Sequence, residues 1–222
     1  MNRRPWAIVA IVIGLLLPSA VAAEESDDFE HWLGQGLRFR SASGVTVGAY
    51  TEARLRDDAS DLYVLLFGPT VSVPLGAYLA TGGAVRYIIV HSSSGALLDW
   101  QRYEVELNPR LKLLDGRLSL VNRNRLEYWR GAAFDWQVRH RIKAGWSLDG
   151  LGPLRGLTMG NEFFYTLDDG PAFSENRLQP LGIKLKFGAY AIELAYVLRT
   201  REGESASAHL LQTVFIAGFA GD

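Results

Sequence analysis

Between Phe134 and Leu148 the chain alternates strictly. One parity reads Phe134, Trp136, Val138, His140, Ile142, Ala144, Trp146, Leu148. The other reads Asp135, Gln137, Arg139, Arg141, Lys143, Gly145, Ser147. Successive side chains of a strand point to opposite faces, so period two predicts a strand with two different environments. A helix would mix both sets on each face. The same period recurs at Val45–Arg56, Arg102–Leu107, Leu157–Thr166 and Ile192–Arg199. No helical period follows the N-terminal segment.

Turn residues punctuate these runs at Asp57-Asp58, Ser92 to Gly95, Asp115-Gly116, Asp149-Gly150, Asp168 to Pro171 and Glu202-Gly203. Asp115-Gly116 between two alternating runs reads as a tight hairpin. The tally is about eleven strands. Bacterial single-chain membrane barrels have even numbers, so the expectation becomes twelve strands, with ten as the alternative. Asp61 to Val90 is the doubtful stretch, because Gly68-Pro69 and Pro74 could divide it into three short strands instead of two.

The N-terminus carries an export signature. Arg3 and Arg4 precede an apolar run from Trp6 to Leu17, and Ala20-Val21-Ala22 is a small-x-small cleavage pattern. The expected organisation is a signal peptide over 1–22, a flexible acidic tail over 23–31 and a single barrel over 32–222. The apolar run falls short of the ~20 residues that a spanning helix needs. The chain has no cysteine, so a small exported fold must be held by something other than disulfides. A net charge of −1 provides no global field to attract nucleic acid.

A soluble barrel buries its apolar parity, whereas a membrane barrel turns it outward. Three features select the second arrangement. Runs of 11 to 15 residues exceed the five or six typical of soluble strands and suffice for the ~9–11 of a spanning strand. Trp136 and Trp146 share a face ten residues apart, roughly 25 Å along a tilted strand, which is the height of a lipid-facing band. Leu211, Thr213, Phe215, Ala217 and Phe219 alternate toward a late aromatic. The fold expected is therefore all-β, a single antiparallel up-and-down transmembrane barrel. An aromatic girdle is assigned to Trp136, Trp146, Tyr165 and Tyr196, with polar loops outside and short turns facing the periplasm.

The opposite parity then lines the lumen. Arg123, Arg125, Glu127, Arg139, Arg141, Glu162, Arg177, Lys184 and Glu193 form the expected lumen charge network. Mixed signs in a small barrel favour self-pairing, because an unpaired buried charge is costly. A charged pathway for small solutes is the competing use. For catalysis the chain offers His31, His91, His140 and His209, with Ser205 and Ser207 near the last, and no G-x-S-x-G elbow. No catalytic residue, metal ligand set or cofactor motif is assigned. The Asp168-Asp169 loop is a weak calcium candidate. A lipid-modifying enzyme and a soluble periplasmic ligand-binding barrel are the alternatives.

Four motifs add a resemblance: Asn122-Arg123-Asn124-Arg125-Leu126-Glu127-Tyr128, Arg139-His140-Arg141, Asn161-Glu162-Phe163-Phe164, and Asn176-Arg177 leading to Gly182. In this order the chain resembles an uncharacterised family of proteobacterial outer-membrane barrels grouped with porin-like proteins, over Asp99 to Phe219. The resemblance implies an outer-membrane barrel without an established activity. Its partners would be outer-membrane lipid and the barrel-assembly machinery. One departure is Pro180, which adds a residue before the glycine. Arg177 and Gln179 lie on one parity, and Lys184 and Lys186 on the other. A β-bulge at Pro180 would bring all four to one face.

Overall fold

The computed structural model describes residues 29–92, 94–203 and 207–220. The signal segment 1–22 and the tail residues before Phe29 lie outside the described residues. The strands are β1 (Phe29–Arg40), β2 (Thr46–Arg56), β3 (Asp61–Pro74), β4 (Leu79–His91), β5 (Leu97–Leu113), β6 (Leu118–Arg130), β7 (Trp136–Ser147), β8 (Leu154–Thr166), β9 (Ala172–Phe187), β10 (Tyr190–Arg201) and β11 (Ala208–Ala220). They form one closed barrel in which each strand pairs with its sequence neighbours, and β1 closes against β11.

The barrel thus has eleven strands, not the expected twelve or ten, and it is not wholly antiparallel. An odd up-and-down chain leaves its first and last strands running the same way, so the seam must be parallel. β1 and β11 pair without a register break from Phe29↔His209 to Arg40↔Ala220. A parallel ladder satisfies the backbone as an antiparallel one does, with slanted bonds. The even-number rule is a regularity of bacterial chains, and closure itself does not demand it.

The doubtful stretch 61–90 makes two strands. At Gly68-Pro69 the ladder to β4 is interrupted, since pairing passes from Phe67↔Tyr87 to Thr70↔Ala84. Proline has no N–H to donate. The Arg86 guanidinium donates to the Gly68 carbonyl (2.8 Å) instead, and β3 runs on to Pro74. The start of the barrel also moves. Phe29, Glu30 and His31, read in the sequence as tail, belong to β1.

The bulge at Pro180 is present. Tyr196 pairs with Leu181 and Leu198 with Leu178. On the other side Thr158 pairs with Gly182 and Gly160 with Gln179. One extra β9 residue lies against each neighbour, which reverses the parity. Arg177, Gln179, Lys184 and Lys186 therefore share the inner side.

The connections between successive strands alternate between the two ends of the barrel. The connections after β2, β4, β6, β8 and β10 lie at the end where β1 begins, the near end. Turns 41–45, 75–78, 114–117, 148–153 and 188–189 form the far end. Three consecutive residues, Asp57, Asp58 and Ala59, take φ of 51°, 56° and 61°, and aspartate tolerates that region better than most residues. Asp168 ties two near-end turns together. Its carboxylate accepts the backbone N–H groups of Asp135 (2.8 Å) and Trp136 (2.9 Å), so it serves as a turn anchor.

Candidate functional site

The barrel is inverted relative to a water-soluble one. Outer-face residues such as Val105 and Met159 are 66% and 57% exposed, whereas Glu127 is fully buried and Glu104, Arg139 and Arg199 nearly so. The interior is therefore the place to look for chemistry. It has three levels from the near end to the far end.

The near end is closed by apolar and aromatic groups. Trp32, Ala195, Val197, Ala208 and Leu210 form one buried cluster. Val64, Leu66, Ile88 and Trp129 form another, against which Trp100 and Phe134 pack. Trp100 meets Trp129 edge-on at 6.1 Å, and Phe134 meets Trp129 at 5.5 Å. Phe134 thus departs from its expected place. It shares sequence parity with Trp136 but lies in turn 131–135, before β7 begins, and its ring joins the lumen plug.

Below this plug lies a ladder of ion pairs. Glu127 accepts from Arg139 Nη1 (2.9 Å) and Trp129 Nε1 (3.2 Å), with Arg125 Nη1 at 3.4 Å and Arg102 Nε at 3.8 Å. Glu104 takes Arg102 Nη2 (2.6 Å), Arg125 Nη1 (3.0 Å) and Arg86 Nε (3.6 Å). Glu162 takes Arg123 Nη2 (2.6 Å) and Arg139 Nη2 (3.1 Å). One network therefore runs through five strands, β4 to β8.

A second set crosses the lumen. Glu30 on β1 binds Arg199 of β10 (2.6 Å), Tyr63 Oη of β3 (2.7 Å) and its own neighbour Trp32 Nε1 (2.7 Å). The Trp32 ring lies between Arg54 of β2 (4.0 Å) and Arg177 of β9 (4.6 Å). Arg177 and Arg139 both stack on Phe164, at 4.3 Å and 4.4 Å. Stacking suits guanidinium, which is planar and weakly hydrated. These contacts tie together strands on both sides of the β1–β11 seam around the near half of the lumen.

Arg123, Arg125, Glu127, Arg139 and Glu162, singled out from sequence, meet in one network. Arg177 is held by Glu175 and by aromatic rings. Glu193 pairs with Lys143 across the lumen. Lys184 faces Glu193 in the β9–β10 ladder but is solvent-exposed. Trp136, Trp146 and Tyr196 are partly exposed on the outer wall, and Tyr165 stacks edge-on with Phe173 there (6.0 Å).

Sequence reading passed over Glu30, Arg86, Arg102, Glu104 and the inward aromatics Trp32, Trp100, Trp129 and Phe164. Their signal was parity: Trp129 follows Glu127 by two, Trp100 precedes Arg102 by two, and Phe164 follows Glu162 by two. The histidines lie on the outer side: His31 bonds Thr213 (3.2 Å), His140 bonds Asn124 (2.7 Å), and His209 bonds the Tyr196 hydroxyl.

A family model described as "Protein of unknown function (DUF2490)" matches residues 29–207. The chain belongs to the DUF2490 family. No curated protein and no solved structure matches this sequence. The DUF2490 match begins at the first residue of β1 and ends just before β11, so it covers ten of the eleven strands and all of the ion-pair network.

Proposed function

We propose that this chain is an exported outer-membrane β-barrel that acts as a closed structural barrel and not as an open pore. The observation that carries the reading is the inverted hydrophobicity. Leu37 (54%), Val105 (66%), Ile142 (50%) and Leu181 (50%) stand exposed on the outer wall while arginines and glutamates are buried inside. In water this arrangement would expose a continuous apolar wall, and soluble monomers rarely carry such patches. In lipid the same wall is solvated, and a closed ladder pairs the backbone from strand to strand with no free edge.

Strand length and aromatic placement support the same reading. The strands run from 11 to 17 residues, enough for the ~9–11 that cross a bilayer. Tyr103, Tyr128 and Trp136 form an outer aromatic row on β5 to β7, with centroids 6.1 Å and 5.0 Å apart. Trp146, Tyr190 and Phe219 stand exposed toward the far end. The partners on this reading are outer-membrane lipid and, during insertion, the barrel-assembly machinery.

The packed near end argues for a lumen that does not conduct. Two measurements test the proposal. The folded protein should be in the outer-membrane fraction and shift on a gel after boiling. It should also give no steady unitary current in a planar bilayer. A soluble band that does not shift overturns the membrane assignment, and stable conductance steps overturn the closed lumen.

A further inference from the structure

Beneath the near-end plug the lumen is not filled. A cavity of about 530 Å³ runs from Trp32, Leu66 and Val197 past the ion-pair ladder toward the far end, lined by nine arginines and one lysine against five glutamates. Glu127 and Glu175, behind this lining, offset two of the five surplus charges. Three positive charges remain without an acidic counterpart in a space walled by protein.

The surplus is concentrated on β6 and β7. Arg123 lies directly opposite Arg141 in their ladder, and Arg125 directly opposite Arg139. Like charges opposed across strands are destabilising. Acids stand within ion-pair distance of three of the four, and Arg141 feels Glu162 and Glu193 only at longer range. Arg125 and Arg139 are paired as described, and Arg123 holds Glu162. Glu162 is also the cross-strand partner of Arg141. Its Oε1, however, already accepts Arg123 at 2.6 Å and Arg139 at 3.1 Å. Among the described residues Arg141 has no ion pair within 4 Å, although it lines the cavity. The Nε–H of Arg123 is buried and unbonded. Lys143, next on the same face, also lines the cavity and is shared with Glu193.

We propose that this cup binds a phosphate-type dianion, with Arg141 as its principal ligand and Arg123 and Lys143 beside it. Guanidinium presents paired N–H donors that match phosphate oxygens bidentately. A dianion placed between Arg123 and Arg141 would turn an opposed like-charge pair into a bridged one. Exposed Arg38 and Lys184 stand on the inner parity toward the far end, where their field would draw anions in. Glycines at 36, 83 and 160 line the cavity and keep its wall clear of side chains. The inference goes beyond the membrane reading and does not depend on it.

The phosphate could arrive free from the aqueous phase or on a lipid headgroup at the far rim. The test is thermal unfolding of the detergent-solubilised full-length barrel with inorganic phosphate, with phosphatidic acid in the micelle, or with neither, at matched ionic strength. Saturable stabilisation by phosphate assigns the free anion; stabilisation by phosphatidic acid alone assigns the headgroup. In either case Arg141→Gln should weaken binding about tenfold or more, since it removes charge-assisted hydrogen bonds. Without ligand that variant should be at least as stable as the parent, because it relieves the repulsion with Arg123. Arg110→Gln, which alters a group bonded to the 75–78 turn, should bind like the parent. If Arg141→Gln gives no heat-shifted band, Arg141→Lys replaces it, with an intermediate loss expected. No response to either probe, or an undiminished response in the Arg141 variants, overturns the proposal. A protein that binds phosphate yet fractionates as soluble keeps this inference and removes the membrane one.

Discussion

Replacing Glu30 by alanine should be among the most damaging single changes in the barrel, and the structure shows how to separate its causes. Glu30 is 3% exposed. It holds Arg199 at 2.6 Å and accepts from Tyr63 and Trp32 at 2.7 Å each. Among the described residues Arg199 has no other ion pair, and it is 4% exposed. Removing one partner of a buried pair costs about 3–5 kcal/mol, because the other charge stays buried and uncompensated. The loss for Glu30→Ala should lie near 4 kcal/mol on that scale. Glu127→Ala is the control. It removes an equally buried carboxylate, but Arg102 and Arg125 keep Glu104, and Arg139 keeps Glu162. Its cost should sit at about 3 kcal/mol, the lower end of the range.

A second substitution sharpens the test. Arg199 faces Ala208 of the near-end cluster across the β10–β11 ladder and Arg177 across the β9–β10 ladder. Glu30→Ala with Arg199→Leu removes both charges and should recover about 2 kcal/mol relative to Glu30→Ala alone. The assay is reversible denaturant unfolding in lipid vesicles, followed by tryptophan fluorescence and by the heat shift on a gel. If Glu30→Ala costs no more than Glu127→Ala, or if the double variant is less stable than Glu30→Ala, the orphaned-charge reasoning is wrong.

Two further outcomes follow from the wall and the bulge. Val105→Arg, on the most exposed outer-wall residue named above, should cost about 2–4 kcal/mol in a bilayer; unchanged stability in vesicles would mean that this face does not meet lipid. Deleting Pro180 removes the extra β9 residue, so one side of the bulge must exchange faces. Arg177 or Lys184 would then point outward, and the heat-shifted band should be lost, whereas a folded deletion variant would show that the bulge does not hold the register.

Much of the wall was legible residue by residue, because a strand's parity is local. Trp136, Ile142 and Trp146 share one side with no long-range information, and so do Arg139 and Arg141. The Asp and Gly turn signals placed six of the ten connections. The other four, at 41–45, 75–78, 131–135 and 188–189, were hidden. Phe134 shows why: it continues the alternation of β7 in sequence, yet it belongs to a turn that folds back over the lumen. Pro180 was the opposite case, where two charged parities that disagree along one strand are enough to mark a bulge.

Sequence alone determined that this chain makes two-faced strands, since alternation acts through nearest neighbours and needs no partner. It could not decide how the cylinder closes. Eleven strands with a parallel β1–β11 seam arise only when the two ends of the described chain meet, a contact between Phe29 and His209 that no local pattern encodes. Nor could it say which of many inward charges find partners. Glu162 serves Arg123 and Arg139 at ion-pair distance and leaves Arg141 beyond 4 Å because guanidinium groups from two strands crowd one carboxylate. That competition is settled by distance in three dimensions, and the chemistry of the lumen depends on its outcome.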